Sequence, residues 1–221
     1  MDTIKHLFLS RFKTFALVSV SMLFSIILLT IRMKLTHSFF YLFLVWNLFL
    51  AVIPFAITTF LISIPRPNKM RLVLCFGVWL LFLPNAPYIV TDLLYLKMGD
   101  TSLLWLDMLV VLSFASNGLL LFFLSVSDMK NILKPYMYPT KIKYLVFIIF
   151  FLNGFGVYLG RFLRYNSWEI LSNPKNLFTD IFSFILKPIK HTEVWLFTLL
   201  FGLFLSLGFW IFSKFYNSKL K

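Results

Sequence analysis

The sequence predicts an all-α, polytopic integral membrane helix bundle of about six transmembrane helices, the third broken at Pro84–Pro87. Three observations carry this. The 221 residues are 60% hydrophobic and 20% aromatic, with 13% charged and a mean hydropathy of +0.89, whereas a soluble domain has about 45–50% apolar and ~25% charged residues. The charges gather in short clusters between long apolar runs, which would leave a soluble surface uncovered. Five of those runs have at least the roughly 17 residues, about 20 being typical, that a helix needs to cross the hydrocarbon core.

Residues 1–13 carry Lys5, Arg11 and Lys13 ahead of the first run, 14–31. That run ends at Arg32 without a small-x-small cleavage site, so it reads as an uncleaved span rather than a signal peptide. The second span covers 38–64, and Pro65 and Pro67 then make a tight turn. In the third, 72–83 and 88–96 are each too short alone. Joined across Pro84-Asn85-Ala86-Pro87 they make about 25 residues, or roughly 38 Å, and read as one broken helix. The fourth span is 101–127, followed by an irregular connection to 144 marked by Pro135 and Pro139. The fifth is 144–160 and the sixth 194–213, with 214–221 as a tail, so that 14–213 form one membrane domain. Within the long 161–193 connection, 177–186 is apolar, too short to span, and followed by Lys187 and Lys190. It is either an interfacial amphipathic helix or a short helix packed on the bundle.

The net charge of +13 lacks the basic stripe with interleaved aromatics of a nucleic-acid surface. It fits loop asymmetry and contact with membrane lipids. In a six-span layout thirteen Lys and Arg fall on the side of the termini and eight on the other, which predicts cytoplasmic termini. Cys75 is alone, and His6, His37 and His191 have no metal-ligand spacing. No metal or cofactor is expected, and no Walker motif, nucleophile elbow or H-E-x-x-H occurs.

Polar residues inside spans are costly unless they face protein or water, so each is a candidate site. At 100° per residue, Asn153, Gly156, Gly160, Arg161, Arg164 and Trp168 share one face of the fifth span. Gly156 and Gly160 suit close helix packing. Arg161 and Arg164 either snorkel to the interface or present planar forks to a phosphate or carboxylate. In the broken helix, a half-helix capped by Asn85 would turn free N–H groups toward an anion. The other reading is a proline kink healed by its neighbours. Asp92 and Asp107 are expected either to pair with arginines or to move a proton. Asn117, Gly118 and the Asn47, Ala51, Pro54, Thr58 stripe read as helix–helix glue.

Two stretches carry a resemblance: Trp79-Leu-Leu-Phe-Leu-Pro84-Asn85-Ala86-Pro87-Tyr88-Ile-Val-Thr-Asp92-Leu93, and Gly154-Phe-Gly156-Val-Tyr-Leu-Gly160-Arg161-Phe-Leu-Arg164-Tyr165-Asn166-Ser-Trp168-Glu169. In this order they resemble the bacterial membrane family called domain of unknown function 1361, over roughly residues 40 to 212. The resemblance implies a multi-pass protein of the bacterial cytoplasmic membrane, without an assigned activity. The family commonly has His three positions after the Asp, where this chain has Tyr95, so a metal or proton-relay role built on that His has no counterpart here. Tyr165 and Glu169 stand where Trp and Asp are usual.

The leading expectation is an outer-leaflet pocket for an anionic, phosphate- or lipid-linked ligand. Asn85, Tyr88, Arg161, Arg164, Asn166, Trp168 and Glu169 would bind it, with Asp92 and Asp107 as candidate catalytic carboxylates. A membrane scaffold or accessory subunit with a structural ion-pair network is the alternative, and a small-molecule transporter the third. The disposition of buried charge discriminates among them: gathered at an open cavity, strung along a path, or paired and sealed.

Overall fold

In hydrocarbon every backbone N–H and C=O must find a partner within the chain, and helices achieve this segment by segment. The computed structural model is accordingly 88% helical, with no strand among the described residues. It describes residues 2–64, 67–98, 103–165 and 174–218, and their side chains except at 2–10, 97–98 and 217–218. Among these residues six helices are long and apolar enough to cross a membrane: Arg11–Thr36, Phe40–Ile62, Lys69–Leu96, Leu104–Leu133, Pro139–Phe162 and Thr192–Tyr216. The chain divides into two compact units, Met1–Ile132 and Leu133–Lys221.

The first unit contains α1 (Asp2–Thr36), a 3-10 turn (Phe40–Leu42), α2 (Phe43–Ile62), α3 (Lys69–Phe82), α4 (Asn85–Tyr88), a 3-10 stretch (Ile89–Met98) and α5 (Leu104–Leu133). α5 links the others by its side chains. It meets α3 through a buried hydrogen bond from Trp79 Nε1 to Ser125 Oγ, 2.8 Å, and meets α1 at three levels described below. Trp79→Phe removes that donor from a fully buried position, so a loss of about 1 kcal/mol is expected in thermal unfolding in detergent. Adding Ser125→Ala should then cost little more; a full second loss would mean that the pair carries no coupling.

The break between α3 and α4 is present, but it does not create a capped helix start. Pro84 keeps helical angles (φ −61°, ψ −23°) and is itself the residue before α4, whereas an N-cap needs an extended backbone. Ala86 N–H donates to the Leu83 carbonyl at 3.2 Å and Tyr88 N–H to the Pro84 carbonyl at 3.0 Å. The Asn85 amide donates backward, Nδ2 to the Phe82 carbonyl at 2.9 Å. The expectation that Asn85 caps a half-helix is therefore corrected: tight turns past two prolines heal the kink, and the chain continues as the 3-10 stretch.

The second unit contains α6 (Pro139–Phe162), α7 (Pro174–Leu186) and α8 (Thr192–Ser218). Pro139 starts α6 at a position that needs no N–H, after the extended Tyr138. Because α5 runs on to Leu133, the irregular connection expected over 127–144 shrinks to residues 134–138. α6 and α8 run antiparallel. Gly154 of α6 lies so close to α8 that a Cβ on it would stand 2.7 Å from the Thr198 carbonyl oxygen. Rings continue the seam on both sides, with Phe150 beside Phe209 and Phe155 stacked on Trp195. α7 buries Leu177 and Phe184 while Phe178, Phe182 and Ile185 stay exposed. Trp195 Nε1 donates to the Phe184 carbonyl at 3.3 Å. The amphipathic segment thus packs on its unit by one face and keeps a free apolar face on the other.

Candidate functional site

The first polar cluster forms where α1 ends. His37, with φ +50°, turns the chain sharply between α1 and the Phe40–Leu42 turn. This brings the Ser38 carbonyl and the Tyr41 ring back onto Arg32. Arg32 Nε donates to Asp107 Oδ1 of α5 at 2.8 Å, and its Nη1 donates to the Ser38 carbonyl at 3.1 Å. The guanidinium carbon stands 4.7 Å from the Tyr41 ring centroid. The two charged side chains are only 4% and 2% exposed, so the pair is sealed. Such a pair is held by geometry, since losing one partner leaves a buried charge at a cost of about 3–5 kcal/mol.

A second pair stands at the other ends of the same two helices. Arg11 Nη2 meets both oxygens of Asp128 at 2.8 Å, and its guanidinium lies over the rings of Phe15 and Phe55, 6.0 and 5.6 Å from their centroids. Between the two pairs, Asn117 Nδ2 donates to Ser25 Oγ at 2.8 Å, with the Ser21 and Ser113 carbonyls at 3.2 and 2.9 Å. Arg11 and Arg32 stand 21 residues apart, and so do Asp107 and Asp128. At 1.5 Å per residue the two pairs lie about 32 Å apart, close to the ~30 Å hydrocarbon thickness. The α1–α5 couple is thus an antiparallel clamp with an ion pair toward each end and an amide bond halfway.

Asp92 is completely buried in the 3-10 stretch and accepts from Asn47 Nδ2 of α2 at 2.9 Å. One turn on, Tyr95 packs edge-on against Phe40 and Phe43. Thr91 Oγ1 donates to the carbonyl of Tyr88, at 2.6 Å. Gly118 of α5 seats the broken segment: a methyl placed on it would land on the Ala86 carbonyl oxygen. The amide and small residues read as glue act here between α2 and the 3-10 stretch, α1 and α5, and α4 and α5.

In the second unit, Arg161 is half-buried in the last turn of α6 and Arg164 is exposed just beyond it. Arg164 has φ +61°, the left-handed conformation that ends many helices and normally falls to Gly. The turn is held after it, with Tyr165 N–H on the Leu159 carbonyl at 3.1 Å and the Tyr165 hydroxyl donating to Asp180 Oδ2 of α7 at 2.8 Å. Asn166, Trp168 and Glu169 lie outside the described residues. The expected pocket draws residues from both units.

Chemically, both ion pairs engage the carboxylates that sequence reasoning left open or missed. Asp107 pairs with Arg32, which the hydropathy pattern placed in a connection, and Asp128 had been left beyond the end of its span. The available signal was the matched spacing of 21 between two arginines and two aspartates. Among the described residues no group of three His, Cys, Asp or Glu comes together to hold a metal ion.

The family model described as "Protein of unknown function (DUF1361)" matches residues 46–207, well over half of the chain. The chain belongs to the DUF1361 family. The match takes in the broken helix, α5, α6 and α7, and therefore Asp92, Asp107, Asp128 and both arginines at the end of α6, whereas Arg11, Arg32 and Tyr41 precede it. No curated protein and no solved structure matches the chain.

Proposed function

We propose that this DUF1361 protein binds an anionic, phosphate-bearing ligand, a lipid or a lipid-linked molecule, at the C-terminal end of α6, with Arg164 as the principal contact and Arg161 beside it. The observation that carries the reading is the backbone of Arg164. A non-glycine residue in the left-handed region is uncommon and costs on the order of 1 kcal/mol or more. Here it holds an exposed guanidinium at the end of a spanning helix, where a planar fork matches phosphate oxygens. The Tyr165 hydrogen bonds to Leu159 and Asp180 fix the turn that presents it.

The role is binding rather than catalysis. Asp107 is closed in by Arg32, and Asp92 is buried with Asn47 bonded to it, so neither carboxylate is offered to a ligand as a general base. The setting we infer is the bacterial cytoplasmic membrane with both termini inside, from the excess of basic residues in the connections on that side. Arg164 then lies toward the outer leaflet.

A second reading, a membrane scaffold or accessory subunit, is favoured by the sealed Arg32–Asp107 pair of the first unit. The two are separated by the lipids that copurify with wild type and with Arg164→Ala. The binding reading expects an acidic, phosphate-bearing species that wild type carries and the variant loses. Identical lipid content in both leaves only the scaffold.

A further inference from the structure

A groove of about 490 Å³ runs between α1 and α2 with α5 as its floor. It is lined mainly by apolar side chains, among them Phe15, Met22, Val52, Phe55, Ala56 and Phe60. Its volume falls in the range of small-molecule pockets, roughly 300–1,000 Å³. α1 and α2 are long and apolar enough to cross a membrane, and in that setting the medium beside the groove is lipid. One end of the groove is polar. The Arg11 guanidinium lies over Phe15 and Phe55, and Ser63, at the close of α2, lines the groove.

Charge identifies the occupant. At this end the Asp128 carboxylate is neutralised by Arg11, while Lys13 on α1 and Lys69 and Arg71 at the start of α3 are exposed. These basic residues fall at the end of α1, α2 and α3 at which Arg11 and Ser63 stand, so that end carries net positive charge, and basic sites between spanning helices hold anionic headgroups. We propose that the groove takes one acyl chain of an anionic phospholipid, whose phosphate is drawn to Lys13, Lys69 and Arg71. This site belongs to the first unit and does not depend on the ligand assigned to Arg164.

Native mass spectrometry of the purified full chain, titrated with phosphatidylglycerol and with phosphatidylcholine of the same chains, tests it, with the reference protein and every variant carrying Arg164→Ala so that the ligand assigned to that residue does not contribute. The expected result is one retained phosphatidylglycerol, held at least about tenfold more tightly than phosphatidylcholine, which is roughly 1.4 kcal/mol. Ala56→Trp fills the groove from a position that is exposed, and it should reduce retention at least tenfold. Val20→Trp, on an exposed position of α1 outside the groove, should not. Lys13→Gln with Lys69→Gln touches no packed residue and should erase the preference for the anionic lipid. Equal retention of the two lipids by the reference protein, or reference-level retention by Ala56→Trp, overturns the proposal.

Discussion

Asp107→Arg is expected to leave little folded protein, because it sets two guanidinium groups against each other where Arg32 and Asp107 now meet almost without solvent. Removing one partner alone, as in Arg32→Ala, is expected to cost about 3–5 kcal/mol. For a chain whose net stability is of order 5–15 kcal/mol that is a large fraction. The informative variant is the exchange, Arg32→Asp with Asp107→Arg, which restores opposite charge between α1 and α5. Thermal unfolding in detergent should place the exchange well above either single variant. If it is no better than Asp107→Arg alone, the pair does not clamp the helices, and the buried arginine is held by the Ser38 carbonyl and the Tyr41 ring instead.

The second large effect is expected at Gly118. No side chain fits there, because the first methyl meets the Ala86 carbonyl oxygen, which is backbone and cannot swing aside. Gly118→Ala should destabilise by roughly 1–3 kcal/mol, the usual cost of overpacking, with Gly118→Val worse. The strain falls on the segment between the two prolines, so the 3-10 stretch that carries Asp92 should loosen first. Amide hydrogen exchange over Ile89–Met98 would report it. Faster exchange there than in α1 is the expected pattern, whereas uniform change over the chain would mean that the kink is not seated on α5. Gly77, by contrast, has open space around it, so Gly77→Ala serves as the neutral comparison.

Much of this architecture was legible in the residues. The apolar runs announced six spans because hydrocarbon thickness sets a minimum length that hydropathy measures directly. The Pro84–Pro87 break was visible because proline removes a donor wherever it stands. What hydropathy concealed was the continuation of helices through charge. Arg32 and Asp128 ended the expected spans at 31 and 127, yet α1 runs to Thr36 and α5 to Leu133. Each charge is neutralised by a partner more than 70 positions away along the chain, and no local window can see that. Asn85 failed for a different reason. An Asn after a proline has the composition of a cap, but capping is decided by the backbone of the residue before the helix, and Pro84 stays helical. Gly118 was recognisable as a packing residue, while its partner, a carbonyl exposed by the kink, was not. At the candidate site, Arg161 and Arg164 were found from their face on the helix; the left-handed backbone of Arg164 carries no sequence signature, since Gly is the residue that would have announced it.

That backbone also supplies the most direct test of the binding role. Arg164→Gly relieves the conformational cost and removes the guanidinium in one step, so stability and binding should move independently. A titration of wild type and Arg164→Gly with a single-chain alkyl phosphate, read alongside thermal unfolding, makes the comparison. The account predicts an unchanged or raised unfolding temperature with affinity for the phosphate at least about tenfold weaker, the worth of a charge-assisted hydrogen bond. Arg164→Gly binding the alkyl phosphate as tightly as wild type would contradict it.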